Sequence, residues 1–169
     1  MSRLAPKGFT LIETVVYLGL LAIMLSGVIV TAYNVFESAD RNQTKSMVQL
    51  EGDFVSAKID WALSGAQAIN APTDVGSQLS VNRWNGASVE SVVIEIDPLT
   101  SKDVTLARGG NPAQPLNSAS TEVNGLAFTH TAGSGTNPES VRADFMVGAR
   151  TSNGQWLSLP FSITSYLRK

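Results

Sequence analysis

Residues 8–36 read GFTLIETVVYLGLLAIMLSGVIVTAYNVF, and this stretch decides the architecture. Between Phe9 and Phe36 the one side chain expected to carry charge is Glu13. The run from Thr14 to Tyr33 is uncharged and about 20 residues long, enough for a helix to cross ~30 Å of hydrocarbon. Arg3 and Lys7 stand before it with no acid between them, and Glu37 and Asp40 follow closely. That bias predicts an N-terminus in the cytoplasm.

Three explanations compete for this pattern. A secretory signal peptide would also place cations before an apolar run, with Val30-Thr31-Ala32 as a small-residue cleavage site. The run is too long for that, and a carboxylate sits near its start. A plain signal anchor accounts for everything except Glu13, because an ionisable group in a membrane is costly and calls for a partner.

The third explanation supplies one. Gly8-Phe9-Thr10-Leu11-Ile12-Glu13 after a short basic leader resembles the processing site of type IV prepilins and type II secretion pseudopilins. In that family a membrane-embedded peptidase cuts after the glycine and methylates the new N-terminus. The resemblance implies cleavage between Gly8 and Phe9, N-methylation of Phe9, and Glu13 as an assembly contact for a neighbour's terminal ammonium. Glu13 would lie about 6 Å deeper than the amine along a helix, at ~1.5 Å rise per residue. Each charge is expensive alone in an apolar setting and cheaper together, so the pair would act as a register device. The span has no proline, and the chain has no cysteine for the C-terminal disulfide many major pilins close. Both departures point toward a minor pilin or pseudopilin.

Past Phe36 the sequence turns polar but keeps helical spacing. Met47, Leu50, Phe54, Ala57 and Trp61 recur at intervals of three and four, predicting one apolar stripe packed on a sheet. Gly52 reads as a kink and Gly65 as the helix stop. The rest reads as strands. Val92, Ile94 and Ile96 alternate with polar residues; Val104 and Leu106 follow, then Leu126 and Phe128. Val141, Ala143, Phe145, Val147 and Ala149 form the clearest period-two run. Asn153-Gly154 predicts a tight hairpin turn into Leu157, Leu159, Phe161 and Ile163, with Pro160 marking an edge or bulge.

The expected fold class is therefore α+β: a long N-terminal helix, half membrane-spanning and half amphipathic, packed on an antiparallel β-sheet head. The expected segments are a leader at 1–8, a transmembrane and polymerisation helix at 9–33, its amphipathic continuation at 34–66 and a β-rich head at 67–169. This order is similar to the J-type pseudopilins and W-type minor pilins, a resemblance of pattern across the whole chain.

The composition excludes several chemistries. No cysteine means no disulfide, thiol nucleophile or Cys-based zinc site. A net charge of −2 over 169 residues gives no polyanion-binding surface, and losing Arg3 and Lys7 with the leader makes the remainder more acidic. His130, the single histidine, has no marked nucleophile or orienting acid and reads as satisfied or solvent-exposed. Asp97 and Asp103 lack calcium-loop spacing and read as turn residues, while Gly109-Gly110 lacks a phosphate-loop lysine. Arg83-Trp84 with Arg108, Arg142 and Arg150 makes a thin basic set, weak support for DNA binding. Trp61, Trp84 and Trp156 read as packing residues.

These readings predict a non-enzymatic structural subunit with no cofactor, metal or small-molecule substrate. The resemblance implies a single-pass precursor in the cytoplasmic membrane with its head outside, cut by prepilin peptidase. It then joins other minor and major pilins or pseudopilins, at the tip of a type IV pilus or type II secretion pseudopilus. The alternative is a membrane-anchored binding module whose head captures DNA or a secreted substrate.

Overall fold

The computed structural model describes residues 10–134 and 137–167. Its first element is the helix α1, Leu11–Ser64, and contacts divide the chain into two units that meet between Arg41 and Asn42.

In the first unit Thr10 starts the helix. Its Oγ1 accepts the Glu13 amide at 3.3 Å, and its carbonyl accepts the amides of Glu13 and Thr14 at 3.1 and 3.2 Å. A threonine here satisfies backbone donors that an apolar residue would leave open. From Leu11 through Phe36 the large apolar side chains are all exposed. Hydroxyls in this stretch fold back on the helix: Ser26 Oγ donates to Ala22 O at 2.8 Å and Thr31 Oγ1 to Gly27 O at 2.9 Å. No polar group of these two side chains then needs water, as a hydrocarbon setting demands. Arg41 closes an i,i+4 ion pair on Glu37 at 2.9 Å.

The second unit pairs the C-terminal part of α1 with two antiparallel sheets. The strands are β1 (Ala66–Ala71), β2 (Val75–Gly76), β3 (Gln78–Trp84), β4 (Val89–Ile96) and β5 (Val104–Arg108), then β6 (Gln114–Pro115), β7 (Thr121–Thr131), β8 (Ser140–Arg150) and β9 (Trp156–Tyr166). One sheet has the order β1-β3-β4-β5-β6, the other β2-β7-β8-β9. Val48, Val55, Ile59 and Leu63 of the helix enter one core with Leu79, Val81, Val92 and Ile94 of the first sheet. Val123, Phe128, Val141 and Phe145 join from the second. The architecture is α+β, a long helix on antiparallel sheets.

The helix face needs a correction. Buried positions are Thr44, Val48, Gly52, Val55, Ile59, Ala62 and Leu63, one residue round from the expected stripe. Met47 and Trp61 only flank the core, while Leu50 and Phe54 are 70% and 45% exposed and Ala57 is also exposed. Both sets satisfy the same spacing, so periodicity could not choose between them. Gly52 chooses. A Cβ there would collide with the Phe161 ring, so this glycine is a contact point. Phe54 instead lies under the Lys58 ammonium, 5.2 Å from the ring centre.

The later strands follow the expected alternation, and β8 buries Val141, Ala143, Phe145, Val147 and Ala149. β9 is an edge strand, with exposed Pro160 opposite Met146. The β8–β9 turn is wider than the two-residue form. Thr151 and Gln155 are bonded across it at 2.9 Å, Gly154 N donates to Thr151 O at 2.8 Å, and Gly154 has φ 77°. That is a three-residue loop with glycine in the left-handed region. β1 and β3 lie where no strand was expected.

Asn117, 7% exposed, fastens the loops of the first sheet. Its Oδ1 accepts the Val104 amide at 2.8 Å, and its Nδ2 donates to Asp103 Oδ1 at 3.1 Å and Thr121 O at 3.0 Å.

Candidate functional site

The expected site lies at the N-terminal end. Gly8 and Phe9 fall outside the described residues. Glu13 is described: it occupies the first turn of α1, three residues after the capping Thr10. Thr10-Leu-Ile-Glu13 therefore fits the spacing of a capping box, a signal present in the sequence itself. An acid in the first turn also opposes the partial positive charge of the helix start. One turn on, Tyr17 Oη donates to Glu13 Oε1 at 3.1 Å. Thr14 Oγ1 donates to Thr10 O at 3.4 Å. Thr10, Glu13, Thr14 and Tyr17 thus form a polar strip along two turns of an otherwise apolar helix. Spacing of three and four would have found Tyr17 too.

The head's chemistry-bearing residues are engaged in structure. His130 has an acceptor at each ring nitrogen, Glu139 Oε1 at 2.9 Å from Nε2 and Thr73 O at 3.2 Å from Nδ1. The ring ties β7 to two loops. Asp97 accepts the Leu99 amide at 2.8 Å and Asp103 is held by Asn117. Among the described residues no cluster of three or more metal-ligating side chains occurs. Gly109 and Gly110, at φ 58° and 79°, make a turn that only glycine adopts readily.

Two of the four arginines meet on one ring. Arg83 and Arg108 lie over the Trp61 ring at 4.2 and 5.6 Å, and Arg83 Nε donates to Trp61 O at 3.2 Å. Arg108 also pairs with Glu90 at 2.7 Å and holds that carboxyl below the usual range. Arg142 pairs with Asp144 at 2.9 Å, and its hydrogen bonds, with one from Ser162, lower the Asp144 carboxyl likewise. Arg150 lies 5.7 Å over the Trp156 ring. Trp61 is half-buried against the core, whereas Trp84 and Trp156 are 47% and 42% exposed. Trp156 nonetheless packs, its ring filling the space over Gly148.

Comparison with known proteins bears on the N-terminal end. A family model described as "Prokaryotic N-terminal methylation motif" matches residues 4–29. No curated protein and no solved structure gives a match. The matched stretch covers the second half of the leader with Lys7, the Gly8-Phe9 junction, Glu13 and most of the apolar run. Among the described residues α1 is the one helix long and apolar enough to cross a membrane. With that helix, the match supports a type IV pilin-like precursor.

Proposed function

We propose that this chain is a structural subunit of a type IV pilus or type II secretion pseudopilus, a minor one placed at the filament tip. Residues 1–8 are the leader, removed by prepilin peptidase, and Phe9 becomes the N-methylated first residue. The segment 9–33 anchors the precursor in the cytoplasmic membrane with the head outside, then packs against other pilins. Glu13 meets a neighbour's terminal ammonium and sets the register. The chain catalyses nothing, and its partners are other pilins or pseudopilins.

The observation that carries this reading is a carboxylate in the first turn of α1, where every large apolar side chain from Leu11 to Phe36 is exposed, inside a stretch that matches the methylation motif. An apolar surface of that extent needs a membrane or other helices to cover it. A charged group within it needs a counter-ion. Against capture of DNA, Arg108 and Arg142 are paired with Glu90 and Asp144, and Arg83 and Arg150 lie on separate tryptophans.

The test is Glu13→Ala in a strain lacking the native gene. Membrane insertion should persist, because the change removes a costly charge, and cleavage at Gly8-Phe9 should persist with it. Co-purification with partner pilins should fall. Wild-type assembly by Glu13→Ala would refute the contact. Because a tip subunit has no neighbour ahead of it, binding to each partner is measured separately.

A further inference from the structure

We infer that Tyr17 is a positioning residue for the Glu13 carboxylate, holding it ready for the ammonium of a neighbouring subunit. The inference rests on the reading of Glu13 as an assembly contact. Its own observation is the bond from Tyr17 Oη to Glu13 Oε1 at 3.1 Å.

The chemistry of the span makes this bond informative. The hydroxyls of Thr14, Ser26 and Thr31 donate to carbonyls four residues back, the ordinary way for a helix to satisfy a hydroxyl away from water. Tyr17 reaches a carboxylate instead. Its phenol is too long to fold back on its own turn, and the i,i+4 spacing puts the oxygen beside Glu13. In hydrocarbon a carboxylate without a donor is costly, so the phenol partly offsets that cost while the subunit waits in the bilayer. It also fixes the side chain. A glutamate has three rotatable bonds, and ordering them at the moment of contact would weaken the pairing. With Oε1 held by Tyr17, the carboxylate keeps a second oxygen for the incoming ammonium. The strip Thr10–Glu13–Thr14–Tyr17 then marks the helix face turned toward the neighbour.

The experiment is a double-mutant cycle in the full chain, expressed in a strain lacking the native gene. Wild type, Tyr17→Phe, Glu13→Ala and the double variant are compared for the fraction recovered with partner pilins. Tyr17→Phe keeps the ring and removes the hydroxyl. It should lower recovery about five-fold, the scale of one hydrogen bond, and should lower it no further when Glu13 is already alanine. Isotope-edited infrared spectra of the protein in phosphatidylethanolamine–phosphatidylglycerol vesicles give a second readout. The Glu13 carboxyl band should shift in Tyr17→Phe. Full recovery of Tyr17→Phe beside a defective Glu13→Ala overturns the positioning role and leaves the Glu13 contact standing. An additive loss in the double variant, or an unmoved band, also overturns it, since Tyr17 would then act by packing. Full recovery of Glu13→Ala removes the contact itself, and the positioning role with it.

Discussion

The ring of Phe161 occupies the space that a side chain on Gly52 would fill. The same ring stacks on Phe145, centroids 5.4 Å apart and planes 13° off parallel. Phe161 is thus held between the helix and the second sheet. Gly52→Ala should therefore destabilise the head despite the better helix propensity of alanine. Propensity contributes about 1 kcal/mol in favour, and forcing the ring aside costs about 1–3 kcal/mol. Denaturant melts of a fragment starting near Phe36 should show a net loss, partly recovered by adding Phe161→Leu. A stabilised Gly52→Ala would show that the ring moves away freely.

The rotated helix face gives a second test in the same fragment. Ile59 is fully buried, so Ile59→Ala should cost about 2–5 kcal/mol. Phe54→Ala should cost under ~1 kcal/mol, because the ring is 45% exposed and loses chiefly its contact with Lys58. The reverse order would restore the stripe through Met47, Leu50 and Phe54.

Acid gives a third. Glu90 and Asp144 have carboxyls lowered by their arginine partners. A lowered folded-state value contributes stability that is present above the unfolded values, about 4.3 for Glu and 3.9 for Asp, and lost as pH falls through the folded ones. Both pairs are exposed enough to be weak. The melting midpoint should hold from neutral pH to about 5 and drop below about 4. Glu90→Gln should begin lower at neutral pH and lose less on acidification. An unchanged acid slope in Glu90→Gln would mean that the Arg108 pair does not differ between folded and unfolded chains.

Some of this was legible in the sequence and some was not, for physical reasons. The span and Glu13 stood out because one charge in a long uncharged run has few explanations. β8 and β9 were legible because one face is buried and the other wet, which writes period two into Val141 to Ala149. β1, Ala-Gln-Ala-Ile-Asn-Ala, carries one large apolar residue, so nothing marks its pairing with β3. Leu79 and Val81 of β3 do alternate and are fully buried, a signal too short to stand out. The helix face was undecidable from spacing, since the deciding partner is Phe161, more than a hundred residues away. Trp61 was read as packing, but its arginine neighbours come from β3 and β5 and appear only once the first sheet forms. At the N-terminal end the capping spacing and the i,i+4 placement of Tyr17 are written in the sequence, but an exposed apolar run masks them.

The central claim is that the chain is processed as a prepilin, and the mature N-terminus tests it most directly. Protein extracted from membranes of the native host should be sequenced at its N-terminus by mass spectrometry. Prepilin processing predicts a chain that begins at Phe9 and carries one methyl group on its amine. A chain beginning at Tyr33 would mean an ordinary signal peptide, and an uncut chain beginning at Met1 or Ser2 a plain anchor. Either result would contradict the account.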